Sequence, residues 1–117
     1  MSTVITGMAR TPIGRYGGAL SSLRAAELGA GAIAAAVERS GVEASSIEEV
    51  VFGHVLQAGE GQITSRQAAV RAGLPMEVPC LTVNKVCLSG MSAIAIVDRG
   101  IRAGDIRLGV AGGMESM

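Results

Sequence analysis

Hydrophobic and polar positions along this chain predict short strands separated by helices. Stretches rich in β-forming residues and bounded by turn residues predict strands at 3–9, 49–56, 78–83 and 107–111. Apolar residues at helical spacing predict helices at 23–40, at 65–72, and from Cys87, or just before it, to Gly104. The resulting order βαβαβαβ is typical of an α/β fold, so we expect a mostly parallel sheet with helical crossovers.

The third helix differs from the other two in its first half. Residues 86–97 include no charged side chain, so this part of the helix is expected to be buried nearly all round. Farther along, Ile94, Val97 and Ile101 fall on one face, which makes the second half amphipathic. Small residues at Ser89 and Gly90 would let another backbone or a thin ligand come close to the thiol of Cys87.

Composition narrows the class of protein. The 117 residues are enough for one domain, and 49% of them are hydrophobic, with one Phe, one Tyr and no Trp. Ten basic and ten acidic residues give a net charge of zero. The sequence has no cluster of basic residues of the kind that binds nucleic acid. No apolar run is long enough to predict a membrane span or a signal peptide. Two cysteines, Cys80 and Cys87, are too few for a disulfide scaffold, so we expect the cytoplasm.

The pattern around Cys87 suggests chemistry. A strand followed by a turn and a helix would place this thiol near the first free N–H groups of the helix. The partial positive charge there favours the thiolate, which is the nucleophilic form of cysteine. The alternative is that Cys87 is a small hydrophobic residue of the core.

Four segments resemble the thiolase family, the acetyl-CoA acetyltransferases. Residues 84–90, Asn-Lys-Val-Cys-Leu-Ser-Gly, resemble its N-x-x-C-x-S-G nucleophile motif. The other three are Arg-Thr-Pro-Ile-Gly at 10–14, Gly-His-Val-Leu-Gln-Ala-Gly at 53–59 with Gly61-Gln62 and Arg66-Gln67-Ala68-Ala69, and Gly-Gly-Met-Glu-Ser-Met at 112–117. They occur in the family's order and span nearly the whole chain, which makes the resemblance specific.

The resemblance implies an acyltransferase. Cys87 would be the nucleophile that carries the acyl thioester, while acyl-CoA plus acetyl-CoA gives 3-ketoacyl-CoA plus CoA, or the reverse thiolysis. CoA thioesters would be the substrates, with no permanently bound cofactor and no metal. The resemblance further implies fatty acid metabolism and a homodimer or homotetramer in full-length members.

The resemblance covers only the N-terminal part of the family pattern. The activating histidine, the second cysteine and the N-E-A segment belong to a C-terminal half, so we expect 1–117 to be a partial N-terminal domain with the C-terminal domain absent. We therefore expect little or no turnover from this chain alone. A non-catalytic module that associates with full-length subunits is an alternative function.

Two further residues raise competing interpretations. His54, the only histidine, stands where the family usually has a small polar residue; a Cys87–His54 dyad is the local alternative to a place at a strand end or subunit contact. Cys80 lies within a predicted strand, so we expect it to pack in the core. A thiol redox protein that uses Cys80 and Cys87 is disfavoured, because a disulfide requires Cα atoms within about 7 Å.

The remaining landmarks are expected to be structural. Asn84 would shape the turn before the helix, and Gly112 and Gly113 would allow close backbone approach near the site. Glu115 is expected to form structural hydrogen bonds, although a catalytic role is open. Structural roles are also expected for Arg10 and, as subunit contacts, for Arg66 and Gln67.

Overall fold

The computed structural model describes residues 2–117, in which three helices alternate with three strands. In chain order these are α1 (Ala25–Ser40), β1 (Glu49–Gly53), α2 (Thr64–Arg71), β2 (Cys80–Val83), α3 (Ser89–Ala103) and β3 (Gly109–Gly113), with a short 3-10 turn at Ala44–Ser46 before β1. The α/β class predicted from the sequence is therefore confirmed.

The three strands form one parallel sheet in the order β2-β1-β3. Val50 of β1 lies opposite Cys80 of β2 on one side and Val110 of β3 on the other. Parallel neighbours bring all three carboxyl ends to the same edge of the sheet, where a ligand site is expected.

The two faces of β1 are covered by different helices. Val50 and Phe52 pack in a core with residues of α1 and α2, whereas Val51 packs against Ala93 and Val97 of α3. Successive side chains of a strand point to opposite faces, so a run of apolar residues in β1 serves both layers.

The strand predicted at 3–9 is wrong. Residues 2–9 have no regular secondary structure, and within the described chain none of them pairs with a strand. The segment instead lies along α1, where the backbone at Gly7 is so close to Ala36 that a Cβ would sit 2.4 Å from its carbonyl oxygen. The Arg39 guanidinium donates to the Met8 carbonyl at 3.0 Å, so the segment contacts a helix and not the edge of the sheet.

Other boundaries moved by a few residues. The strand predicted at 49–56 ends at Gly53, because the N–H groups of Val55 and Leu56 donate to the Glu115 carboxylate instead of to a strand. The helix ends predicted at Gly41 and Gly104 are confirmed, and both glycines adopt the left-handed conformation.

The expectation that α3 is buried nearly all round is wrong for this chain. Its buried residues are Ser89, Ala93 and Val97, one stripe at helical spacing against the sheet. Met91 is 70% exposed and Ile94, expected on the face of Val97, is 50% exposed, since no other element of residues 2–117 covers that side.

Candidate active site

Cys87 lies on a tight turn between β2 and α3. The Leu88 N–H donates to the Lys85 carbonyl and the Ser89 N–H to the Val86 carbonyl, both at 3.1 Å. These turns delay the helix, which begins at Ser89 and not at or before Cys87 as expected. Cys87 is exposed and precedes the first helical turn.

Side chains on both sides hold this turn in place. Asn84 Oδ1 accepts the Val86 N–H at 2.9 Å, as expected for a residue that shapes the turn. Ser89 Oγ accepts the Lys85 N–H at 2.8 Å and donates to the Val86 carbonyl at 2.5 Å. The thiol therefore projects from a backbone that is fixed before any ligand binds.

Val86, directly before Cys87, has a backbone conformation that β-branched residues avoid. Its φ is +54°, and the left-handed conformation costs an L-residue about 1–2 kcal/mol. Strain of this kind persists only where surrounding contacts enforce it, and it is concentrated at functional sites.

The ends of the strands are tied together next to this turn. The His54 N–H donates to the Val83 carbonyl at the end of β2, and the Gly53 carbonyl accepts the Met114 N–H after β3, each at 3.0 Å. A Cβ at Gly53 would lie 2.6 Å from Cβ of Ser89, so the start of α3 sits directly on the end of β1.

A cavity of about 610 Å³ opens at this edge of the sheet. Its lining includes Cys87 and Gly90 from the turn and α3, His54 and Leu56 after β1, and Glu115 after β3. The edge where parallel strands end thus holds the exposed thiol, an imidazole and a carboxylate around one space.

The carboxylate of Glu115 binds the chain that follows β1. Its Oε2 accepts the Val55 N–H at 3.0 Å and its Oε1 accepts the Leu56 N–H at 3.1 Å. The structural hydrogen-bonding role expected for Glu115 is confirmed. Sequence reasoning missed which groups it binds, because these partners lie far away in the chain.

Comparisons with known proteins agree with this geometry. The family model for the N-terminal domain of thiolase matches residues 3–117. The chain belongs to the thiolase family.

Its relatives carry enzyme names. It is 51% identical over 114 residues to the acetyl-CoA acetyltransferase of Cupriavidus necator, an alignment that covers 97% of this chain and 29% of that protein. It is 53% identical to acetyl-CoA acetyltransferase B, mitochondrial, of Xenopus laevis, covering 97% and 27%. The chain therefore spans less than a third of the length of these relatives.

A solved structure has the same fold. The crystal structure of the Acat5 thiolase from Ascaris suum in complex with coenzyme A superposes with a TM-score of 0.94 at 39% identity, over 97% of this chain and 30% of that one. The thiolase-like α/β fold with a parallel sheet, expected from the sequence, is confirmed.

In this thiolase chain His54 and Cys87 line one cavity but do not form the dyad considered above. His54 is 1% exposed; its Nδ1 lies 2.8 Å from Thr64 Oγ1 and its Nε2 lies 3.5 Å from Glu115 Oε1. Within residues 2–117 no hydrogen bond joins the imidazole to the thiol. The expectation of a place at a strand end is confirmed.

Cys80 packs where the sequence predicted. It opens β2, contacts the core beneath α2, and its Sγ donates to the Val78 carbonyl at 3.4 Å. Burial raises the pKa of the Cys80 thiol, and the nearby positive charge of Arg66 opposes this without cancelling it. Both cysteines are free.

Arg66, Gln67 and Arg10 bind backbone carbonyls in loops of this chain. Arg66 donates to the carbonyls of Met76 and Val78, and the Gln67 side chain donates to the carbonyls of Glu60 and Gln62. The guanidinium of Arg10 donates to the Thr11 carbonyl at 3.1 Å and lines a second cavity of about 440 Å³ under residues 9–17. Subunit contacts by Arg66 and Gln67 stay a prediction.

Residues 2–117 contain neither a cluster of metal-ligating side chains nor a helix able to span a membrane. No three side chains of His, Cys, Asp or Glu come together as a group that could bind a metal ion. None of the helices in this part of the chain has the length and apolar character to cross a bilayer.

Proposed function

We propose that this chain carries the nucleophile of a thiolase-type acyl transfer. The observation on which the proposal depends is the exposed Cys87 thiol, held on a fixed turn at the mouth of the cavity where the parallel strands end. A fixed nucleophile beside a cavity needs little reorganisation before it reacts.

The proposed reaction proceeds in two steps through Cys87. The thiolate attacks the thioester carbonyl of acyl-CoA, the bond from that carbon to the CoA sulfur breaks, and CoA leaves while the acyl group stays on Cys87. The α-carbon of acetyl-CoA gives up a proton to a base, which the family resemblance places at the second cysteine of the C-terminal half, and then attacks the new thioester. This proton balances the one that the departing CoA thiolate takes up to become CoA. This step gives 3-ketoacyl-CoA and returns the Cys87 thiolate; thiolysis is the same path in reverse.

The substrate class comes from similarity. The relatives named above are acetyl-CoA acetyltransferases, and the Ascaris suum thiolase was solved with coenzyme A. We propose CoA thioesters as substrates here, with acetyl-CoA among them, and a role in fatty acid metabolism. We also propose a homodimer or homotetramer for the full-length protein.

The proposed compartment is the cytoplasm. Two free cysteines, one of them exposed, agree with reducing surroundings. The Xenopus laevis relative is named mitochondrial, so its location differs from the one we propose for this chain.

Acylation of Cys87 can be tested by intact mass. Residues 1–117 and a chimera that joins them to the remaining sequence of the Cupriavidus necator relative are incubated with acetyl-CoA, each alongside Cys87→Ala and Cys80→Ala. We expect the chimera and its Cys80→Ala variant to gain one acetyl group and the Cys87→Ala variant to gain none. We expect residues 1–117 alone to give no adduct, although iodoacetamide still labels Cys87.

Either of two results would refute the role of Cys87. If the chimera has the helix content and size of a folded thiolase but Cys87 gains no acetyl group, Cys87 is not the acyl carrier. Acetylation that persists in the Cys87→Ala variant would lead to the same conclusion.

A non-catalytic association module is a second candidate function. The exposed apolar residues of α3, Met91 and Ile94 among them, favour it because such a face needs a covering partner. Co-purification of residues 1–117 with a full-length thiolase, without any acyl adduct in the chimera, would favour this function over the first.

A further inference from the structure

His54 is a buried polar side chain that lines the cavity beside Cys87. The proposed reaction assigns it no role. It is 1% exposed and lines the cavity with Cys87 and Glu115. Its Nδ1 has a close partner in the Thr64 hydroxyl at 2.8 Å, and Thr64 is itself buried. Its Nε2 is buried and forms no hydrogen bond within residues 2–117.

The group that faces Nε2 identifies which ring nitrogen carries the proton. Glu115 Oε1 lies 3.5 Å from Nε2, and a carboxylate can only accept. A proton on Nε2 therefore points at an acceptor, whereas a lone pair there would point at negative charge. With the proton on Nε2, Nδ1 accepts the hydrogen bond from the Thr64 hydroxyl, so one tautomer satisfies both sides of the ring.

Glu115 in turn fixes the backbone next to the cavity. Its two oxygens accept the N–H groups of Val55 and Leu56, and Leu56 lines the cavity. Since one carboxylate faces both the imidazole and these N–H groups, its orientation couples the buried ring to the cavity wall.

We propose that His54 is a positioning residue. Held by Thr64 at Nδ1, it directs Nε2–H at Glu115 and keeps the carboxylate where it binds the Val55 and Leu56 N–H groups beside Cys87. Only the identification of the cavity as the acyl-CoA site rests on the proposed function. The chain of contacts from Thr64 through His54 to Glu115 stands on its own distances, 2.8 Å and 3.5 Å.

The tautomer can be read in the unaltered chain. His54 is the only histidine, so a long-range proton–nitrogen NMR spectrum of nitrogen-15-labelled chain contains one set of imidazole signals. For the neutral ring we expect an N–H-type nitrogen at Nε2 and an unprotonated nitrogen at Nδ1. The opposite tautomer, or an averaged pair of equal shifts, would overturn the proposal. No variant has to fold for this measurement.

Two substitutions separate positioning from packing. His54→Gln can place an amide N–H where Nε2–H was, whereas His54→Asn reaches only the Nδ1 position. In hydrogen–deuterium exchange we expect the Val55 and Leu56 amides to exchange about tenfold faster or more in His54→Asn, the scale of a lost hydrogen bond to a charged group. His54→Gln should stay close to wild type, and Glu115→Ala gives the upper limit.

The amide of Ile33, in the core of α1, reports general destabilisation. Equal acceleration of Val55, Leu56 and Ile33 in both His54 variants would mean that the ring only fills space, which overturns the proposal. Acylation of Cys87 is measured separately by mass. A normal chain of contacts with an unreactive Cys87 would therefore refute the proposed function and leave this inference standing.

Discussion

Cys87 and Cys80 differ in exposure and in their surroundings. Cys87 is exposed on a turn, whereas Cys80 packs against the core, where burial raises the pKa of its thiol. A raised pKa keeps the Cys80 thiol protonated at pH 7–8. Because only the thiolate reacts with iodoacetamide, Cys80 should react slowly in the folded chain.

We therefore expect one label per folded chain at pH 8. Cys80→Ser should be labelled like wild type and Cys87→Ser should remain unlabelled until urea unfolds it. Peptide mass mapping after labelling identifies the modified residue. Labelling of Cys80 in the folded Cys87→Ser variant at the rate of the unfolded chain would contradict the burial argument.

At the residue scale the sequence singles out Cys87, the proposed nucleophile, but not the groups that surround it. Cys87 could be found because its neighbours Asn84, Ser89 and Gly90 are adjacent in the chain and form a recognisable motif. The approach of His54 and Glu115 depends on the register of β1 against β3, which no local pattern encodes. The available signal was one imidazole and one carboxylate, His54 and Glu115, which follow different parallel strands.

At the scale of the elements, the contact between β1 and α3 fixes the position of the turn at residues 84–88, which holds Cys87. A Cβ at Gly53 would lie 2.6 Å from Cβ of Ser89 and 2.8 Å from the Gly90 nitrogen. A backbone atom cannot move aside as the end of a flexible side chain can, so the start of α3 would have to shift.

We expect Gly53→Ala to lower the free energy of unfolding by about 1–3 kcal/mol, the usual range for overpacking. Gly31→Ala is the matched control: Gly31 is exposed within α1, nothing lies within 4 Å of its Cβ position, and the change should stabilise by about 0.5–1 kcal/mol. Urea denaturation of both variants checks the opposite signs. Equal stability of Gly53→Ala and wild type would mean that the contact yields freely.

The amino ends of β1 and β3 are joined by an ion pair. The Arg107 backbone N–H donates to Glu48 Oε2 at 2.6 Å, and its guanidinium lies 3.2 Å from Oε1. The backbone hydrogen bond, and then the guanidinium, lower the pKa of the Glu48 carboxyl from its ordinary 4.5. A lowered carboxyl pKa stabilises the fold above 4.5, and this stabilisation is lost as the pH falls through the folded-state value.

Glu48→Gln should therefore lower the thermal unfolding midpoint at pH 7, and the difference from wild type should shrink below pH 4.5. Glu43→Gln makes the same charge change at an exposed residue that forms no ion pair within residues 2–117. Calorimetry at pH 7 and pH 3 compares them. If the unfolding midpoint of Glu48→Gln stays equally far below that of wild type at pH 3, the charge of Glu48 is not the cause of the stabilisation.

The elements themselves were largely predictable, and the exception is informative. The apolar runs at β1 and β2 alternate with segments of helical periodicity, and this alternation predicted parallel pairing. The segment 3–9 has the same kind of alternation, but a strand exists only where a partner supplies the ladder. Its backbone contacts α1 at Gly7 and Met8, and the pattern of residues within the segment does not predict this contact.

The turn that holds Cys87 and the first part of α3 expose several apolar side chains. In the turn Val86 is 64% and Leu88 47% exposed, and in α3 Met91 is 70% and Ile94 50% exposed. Apolar side chains grouped in this way mark surfaces that another molecule covers, or surfaces that promote aggregation. The uncharged first half of α3 predicted a helix that is buried nearly all round, but residues 2–117 cover it on one side only.

We expect this surface to drive concentration-dependent association of the chain. Met91→Glu should shift sedimentation velocity profiles towards the single chain, because a carboxylate in the middle of the surface must be desolvated when copies associate. The substitution should not weaken α3, since Met91 lies in its first turn, where negative charge is favourable. Met76→Glu makes the same charge change at a methionine that is 61% exposed in the connection from α2 to β2. If Met76→Glu disperses the chain as effectively as Met91→Glu, added net charge is the cause and the α3 surface is not the contact.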